Sequence, residues 1–376
     1  MALESQVPKK KKKMFVHSLL SLRVCLATIA PRFSWDTIQP FLHLANKTGP
    51  FQPEAFPIMA KFPIVTIDKY QGPCASHSTH APSDTCHEED LIVDVLKKVK
   101  AINPSVCTIF YMNSILNFPT YDVAERFLAN NARLSLHATD GTLITVDGGG
   151  TTNMTVFDFQ QQAACDLWAD TCINATKTGF VDGCFADRAV DKQSFEKNGQ
   201  LNDTEVAAFD RGHWGMLAKL QTTIGAGPVI ANHAYNLSGV GASMIEFGKA
   251  DHATLKDIQK SVANGKLTQA HFLKLSDSVV ALFLIGAGEN TYFGEGSFSI
   301  KGKGLGGVAN RWHSKYFDRP LGEPLSDAVE SRNGSDIVYT RKFSKGTNVT
   351  LTCFHHGKGA CRGSIEWGDS LESTRK

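Results

Sequence analysis

The chain has 376 residues, 42% of them hydrophobic and 20% charged, with 32 glycines and a formal net charge of +2. That composition excludes a disordered or fibrous protein and leaves room for one α/β-barrel unit of ~250 residues with flanking pieces. The positive charge belongs to a tail: without residues 1–13, which hold five consecutive lysines and Glu4, the body carries 34 basic and 36 acidic residues. No nucleic-acid footprint is therefore expected in the folded part.

In chain order, residues 1–34 read as a basic tail and a signal or signal-anchor segment. The lysine run 9–13 is followed by an apolar stretch over 14–30 that His17 and Arg23 interrupt. Pro8 with the lysines also suits a nuclear signal, and a solvated tail is the plain alternative. A membrane is expected to be met only through this segment, because no later stretch approaches the ~20 apolar residues of a span. Nine cysteines are many for a cytosolic chain; setting Cys25 aside leaves Cys74, Cys86, Cys107, Cys165, Cys172, Cys184, Cys353 and Cys361, the even count of a fully paired secreted domain. Cys74/Cys86 and Cys353/Cys361 are the natural short staples. Seven Asn-x-Ser/Thr sequons, at Asn46, Asn153, Asn174, Asn202, Asn236, Asn333 and Asn348, occur among 17 asparagines, where chance gives roughly two. The expected location is outside the cell or in the secretory-pathway lumen.

From about residue 60, short apolar or β-branched runs alternate with amphipathic helical ones, the pattern of an α/β fold with a (β/α)8 barrel. The predicted strands are 62–68, 106–113, 156–159, 179–187, 228–233, 242–247, 271–275 (the weakest) and 279–286. The predicted helices are 88–101, 121–130, 159–174, 205–223 and 254–263, with Asp203 and Asp251 at or near N-caps. In the first helix Leu91, Val95 and Val99 share a face, acids open it and lysines close it. The barrel is assigned to residues 35–320. Residues 321–376 change to short alternating runs and form a small β-rich element with a structural role.

In such a barrel the site forms at the C-terminal ends of the strands, so polar residues that end an apolar run are the candidates. They are Asp68, Tyr111, Asn113, Asp158, Asp182, Asp187, Asn232, His233, Glu246, Glu289 and Tyr292, with Arg188 beside Asp187. In GFVDGCFADRA, residues 179–189, alternation puts Asp187 at the strand end and Asp182 near its start on the other face, where it suits bonding backbone or a neighbouring strand. In GASMIEFG, residues 241–248, Glu246 sits near the end of a strand two places later. Two carboxyl groups from separate strand ends are what glycoside hydrolysis uses. One protonates the leaving oxygen and the other attacks the anomeric carbon or activates water. Bland alternatives exist for each: Asp187 capping a helix or pairing with Arg188, Glu246 at a surface strand end, Asp68 opening a loop. Tyr111, His233, Tyr235, Tyr292 and Trp312 suit sugar stacking or plain packing, and His213 reads as structural.

The runs WDTIQPFLHLANKTGPF (35–51), KFPIVTIDKYQG (61–72), VKAINPSVCTIFYMNSILNFPTY (99–121), GFVDGCFADRA and SMIEFG resemble TIM-barrel glycoside hydrolases, in the layout of the endo-α-1,4-polygalactosaminidase-like and other hypothetical glycosyl hydrolase families. The resemblance covers residues 35–300. It implies that Asp187 on the fourth strand and Glu246 on the sixth form a catalytic pair, and Asp68 stands where similar sequences carry an acid, often Glu. The reading is a monomeric glycosidase acting on a poly- or oligosaccharide, with Asp187 as nucleophile or base and Glu246 as general acid. Such an acid needs a pKa raised by burial and by its partner. Phosphate-loop, zinc-protease and nucleophile-elbow motifs are lacking, so no metal or cofactor is expected. The rival is a catalytically silent barrel that binds glycans.

Overall fold

A computed structural model describes residues 30–72, 87–123, 132–147, 153–190, 193–301 and 304–368. The basic tail with Cys25, the Cys74/Cys86 staple and most of the predicted helix 121–130 lie outside the described residues.

The strands in chain order are β1 (Phe41–Asn46), β2 (Ile64–Ile67), β3 (Cys107–Asn113), β4 (Thr145–Asp147), β5 (Asn153–Thr155), β6 (Gly183–Asp187), β7 (Val229–Asn232), β8 (Ala242–Gly248), β9 (Leu267–Phe272), β10 (Thr291–Glu295), β11 (Ser299–Ile300), β12 (Val329–Asn333), β13 (Asp336–Lys342), β14 (Asn348–Cys353) and β15 (Cys361–Glu366). Nine of them make one parallel sheet in the order β10-β9-β8-β7-β6-β3-β2-β1-β11. The sheet curls on itself: the Phe293 amide of β10 donates to the Gln39 carbonyl at 2.8 Å, and Phe293 bridges Pro40 just ahead of β1. The architecture is mixed α/β and TIM-barrel-like. Strands β1, β2 and β3 are buried along their whole length, as parallel strands covered on both faces must be.

Helices cover the outside. Glu88–Ile102 buries Ile92, Val95, Leu96 and Val99, with Glu88, Glu89 and Asp90 in its first turn and Lys100 in its last. Gln162–Lys177 follows, and Asp203–Ile224 starts with a capping box in which Asn202, rather than Asp203, is the cap and Glu205 answers it. Asp251 caps His252–Ala263 as expected. Two sequons are structurally committed: Asn46 is fully buried, and Asn202 spends its side chain on the helix.

Three strand assignments need correction. Residues 156–159 do not join the large sheet; Val156 and Phe157 form isolated bridges to Leu116 and Ser135 within an excursion that follows β3. The weak strand at 271–275 is β9, which begins four residues earlier. The run 279–286 is not a strand but most of the helix Asp277–Gly286, capped by Ser276. Its residues are buried all round because it is wedged between the large sheet and a second sheet, and an apolar run without periodicity reads equally as strand or helix. The eighth place in the parallel series belongs to β10, and β1 fills the first.

The second sheet is antiparallel, in the order β12-β13-β14-β15. Strands β13 and β14 alternate buried and less buried residues, the mark of one covered face. That face lies on Asp277–Gly286, so tightly that a side chain at Gly363 would meet Ala281. Arg341 donates to the Leu284 and Ala287 carbonyls at the helix end. Cys353 and Cys361 form a disulfide, but full pairing fails: Cys107, Cys165, Cys172 and Cys184 are buried and unbridged. They sit in interior strands and one helix, where a thiol packs as a small apolar group.

Candidate active site

The C-terminal ends of β2, β3, β6, β7 and β8 bring seven polar side chains together. Asp187 ends β6. Tyr111 donates to its Oδ2 at 2.5 Å and Asn113 at 3.1 Å, both from β3, while Asn232 of β7 donates to its Oδ1 at 3.0 Å. The Arg188 amide adds a bond at 2.8 Å. Lys69 Nζ, just past β2, lies 3.9 Å from Asp187 Oδ2 and 3.3 Å from Asp68 Oδ1, and it donates to the Tyr111 hydroxyl at 2.7 Å.

The same Asn232 nitrogen also donates to Glu246 Oε2 at 2.5 Å. Both protons of one amide group are thus spent on the two carboxylates, which fixes its orientation, since a turned amide would set its oxygen against two anions. The 3.0 Å and 2.5 Å bonds to one nitrogen place Asp187 Oδ1 and Glu246 Oε2 no farther apart than their total, 5.5 Å.

Electrostatics separates Asp187 from Asp68. Burial disfavours the charged form of Asp187, but Lys69 and the bonds from Tyr111, Asn232 and the Arg188 amide outweigh it, so its pKa falls below the usual carboxylate range. At Asp68 burial dominates and Asp187 adds to it, and the pKa rises despite Lys69. Burial alone would lower the Lys69 pKa, yet the two aspartates raise it above normal. Tyr111 is pushed well above its ordinary value, by burial first and then by Asp187, and stays a donor. His43, inside β1 with Nε2 3.6 Å from Asp68 Oδ2, is driven down to about 3 by burial and Lys69 and is neutral.

The backbone marks the same place. Tyr70, Arg188, His233 and Phe247 have φ of 64°, 59°, 60° and 55°, and each follows or nearly follows one of the polar residues above. Non-glycine residues in this region cost about 1–3 kcal/mol each and persist where surrounding structure enforces them.

Asp68, Tyr111, Asn113, Asp187, Asn232 and Glu246 therefore meet, with the Arg188 amide, and His233 Nε2 lies 3.6 Å from Glu246 Oε2. Four candidates do not. Asp158 accepts from the Gln160 amide and the Gln161 side chain in the turn before a helix. Asp182 is at the opposite end of β6, bonded to the Thr108 amide and hydroxyl and paired with Lys100 at 2.6 Å. Glu289 and Tyr292 stand at the start of β10, again the opposite end, and the Tyr292 hydroxyl bonds the Arg32 carbonyl at 3.2 Å. Their misplacement follows from reading 279–286 as the strand. Of the remaining aromatics, Tyr235 faces Lys260 and Trp312 packs on Phe62. His213 is structural, stacked on Phe159 and bonded to the Ser114 hydroxyl, which donates to the Asp187 carbonyl. Lys69, His43 and Phe247 are not among the candidates named from the sequence. A lysine directly after an acid at a strand end was the available signal.

Beside these groups opens a cleft of about 290 Å³ lined by Lys47, Asp68, Lys69, Tyr70, Glu246, Phe247, Leu273 and Phe298, among others. Among the described residues no cluster of three or more metal-ligating side chains occurs and no helix is long and apolar enough to cross a membrane.

The model of hypothetical glycosyl hydrolase family 15 matches residues 100–347, more than half of the chain. The chain belongs to that family. Hypothetical glycosyl hydrolase family 15 places it among glycoside hydrolases, and the matched span contains Asp187, Asn232 and Glu246 but not Asp68 or Lys69. No curated protein matches the chain. Solved structures similar to this family 15 chain include the glycoside hydrolase domain of PelA from Pseudomonas aeruginosa, 12% identical over 69% of this chain and 96% of that one, with a TM-score of 0.44. The GH36 α-galactosidase AgaB from Geobacillus stearothermophilus is 8% identical over 86% of this chain, which spans 48% of that one, with a TM-score of 0.48. A noncanonic maltogenic α-amylase, AmyB from Thermotoga neapolitana, is 8% identical over 83% and 84%, at 0.47.

Proposed function

We propose that the protein is a retaining glycoside hydrolase acting on a poly- or oligosaccharide, with Asp187 as nucleophile and Glu246 as general acid and base. The observation that carries this is the Asn232 amide shared by the two carboxylates. It supports a separation near the ~5–5.5 Å of retaining pairs rather than the ~6.5–9.5 Å that leaves room for water in inverting ones. The asymmetry around Asp187, a cation and three side-chain donors on a buried carboxylate, suits a group that must attack as an anion.

In the first step Asp187 bonds to the anomeric carbon as the glycosidic C–O bond breaks, and Glu246 gives its proton to the departing oxygen. In the second, Glu246 takes a proton from water as that water's oxygen attacks the same carbon and frees Asp187. In this reading Asp68, Tyr111 and His233 bond sugar hydroxyls. The eight strands β1, β2, β3, β6, β7, β8, β9 and β10 are read as a (β/α)8 barrel closed at Pro40 and Phe293. The sequons and the Cys353–Cys361 bridge support action in an oxidising, lumenal or extracellular setting.

The test is a glycan-substrate screen on the secreted protein beside Asp187→Asn and Glu246→Gln. Each variant should lower turnover by orders of magnitude with an unchanged circular dichroism spectrum, and the product should retain its anomeric configuration by NMR. Near wild-type turnover in either variant removes the assignment.

A further inference from the structure

Directly after Glu246 the chain does something costly. Strand β8 runs in register with β9 up to Ile245 opposite Ala270, and the next partner pair is Gly248 with Phe272. Three steps on β8 thus match two on β9, a bulge of the kind that re-aims side chains beside sites. Phe247 occupies it with φ 55°, a conformation an aromatic residue rarely adopts. Gly248 pins the bulge: a Cβ there would lie 2.8 Å from Thr254 Cγ2 and 3.0 Å from Phe272 Cε1. The result is a phenylalanine that is 42% exposed, at the lip of a cleft whose floor carries buried charge.

The ring has company. Its centroid is 5.3 Å from that of Phe298, and Phe298 in turn stacks on His271 at 4.2 Å, so the outer ring rests on a fixed aromatic base. Leu273, 53% exposed, lines the same cleft. Lys47 and Tyr70 line it too, with Lys47 Nζ 4.9 Å from the Tyr70 ring centre. The lining therefore combines apolar side chains, one of them on strained backbone, with hydrogen-bonding groups that include Ser297 and Ser299 on either side of Phe298. Glu246 lines this cleft, and Asp187 is not among its lining residues.

We infer that Phe247, with Leu273 and Phe298, forms the stacking platform of a subsite for a pyranose on the leaving-group side of the bond. The ligand is a sugar ring that presents C–H bonds on one face to Phe247 and hydroxyls to Lys47 and Tyr70. Placement on the leaving side rests on the reading of Glu246 as the acid that protonates the leaving oxygen. The platform itself needs only the cleft.

Glycine supplies a clean test, because it accepts φ near 55° without strain. If Phe247 were there to fill the core, Phe247→Gly would melt lower than wild type. If it serves a ligand, removing it relieves the backbone and costs binding. Wild type, Phe247→Gly and Phe247→Trp are compared by saturation-transfer NMR with methyl α- and β-glucopyranosides and methyl α- and β-galactopyranosides, and by thermal melting. At least one glycoside should bind wild type with transfer strongest at its ring C–H protons. Phe247→Gly should weaken that binding at least fivefold with a Tm equal to or above wild type, and Phe247→Trp should restore it. Unchanged affinity in Phe247→Gly, a lowered Tm in it, or no binding of any of the four glycosides by wild type overturns the platform. Binding that depends on Phe247 without hydrolysis of any glycan upholds the platform and removes the hydrolase reading.

Discussion

Replacing Lys69 by methionine, one atom shorter and uncharged, tests what the cation does for Asp187. At 3.9 Å and an effective dielectric constant of about 20, the ammonium and carboxylate attract by about 4 kcal/mol. The two side chains are 22% and 18% exposed; solvent and local relaxation then return part of the loss, leaving about 1.5–3 kcal/mol, or one to two pH units. The sign follows from the required state. In the proposed mechanism Asp187 attacks as an anion, so activity should disappear as pH falls through its pKa, which Lys69 holds down. In Lys69→Met that pKa rises, and the acid limb of the pH profile of kcat/KM moves up by about one to two pH units. Selective 13C labelling of aspartate carboxyls gives the same quantity without substrate, with Asp187→Asn assigning the resonance, and Lys69→Arg should leave the titration near wild type. An Asp187 titration that does not move in Lys69→Met would refute the electrostatic account of this site.

Three further outcomes follow from the geometry. Asp182→Ala strands the buried Lys100 ammonium and two Thr108 donors; it should cost about 3–5 kcal/mol in denaturant melts and leave kcat/KM unchanged below the melting range. An altered KM would return Asp182 to the site. Burial raises the Glu88 pKa to about 8, so its stabilisation is complete below its unfolded value and fades as pH rises through the folded one. Wild type should lose on the order of 3 kcal/mol between pH 5 and 8 from this group, Glu88→Gln should lack that loss, and parallel Tm profiles of the two would refute it. Asn232→Ala should lower kcat by about 10–100-fold with both carboxylates present, because it releases the contact that fixes their spacing; unchanged kcat would show that the bridge does not hold the pair.

The strand ranks of Asp187 and Glu246 were legible through two errors that cancel. Reading 156–159 as a strand added one too many, and missing Phe41–Asn46 left one out, so Asp187 and Glu246 kept ranks four and six by compensation. Strand β1 hid because His43 and Asn46 interrupt its apolar run, although both are buried. Local alternation sufficed for Asp187 against Asp182, since one side chain must end the strand and the other begin it. It could not tell the helix Asp277–Gly286 from a strand, because that distinction lies in two covering sheets far apart in sequence. His43 and Phe247 owe their roles to neighbours on other strands and to a bulge, neither of which leaves a local sequence signal, whereas Lys69 is marked by its place directly after Asp68 at a strand end.

The wedged helix also decides how the protein can be cut. Val279, Val280, Leu282, Phe283, Leu284 and Ile285 are shielded jointly by the large sheet and by β14 and β15. Ending the chain near residue 320 to isolate the large parallel sheet would strip one side of that helix. On the order of 5–10 kcal/mol of hydrophobic burial would go with it, and the exposed face would be sticky. Residues 321–368 act as the outer lining of the enzyme's own wall rather than as a removable attachment, so expression work should carry them.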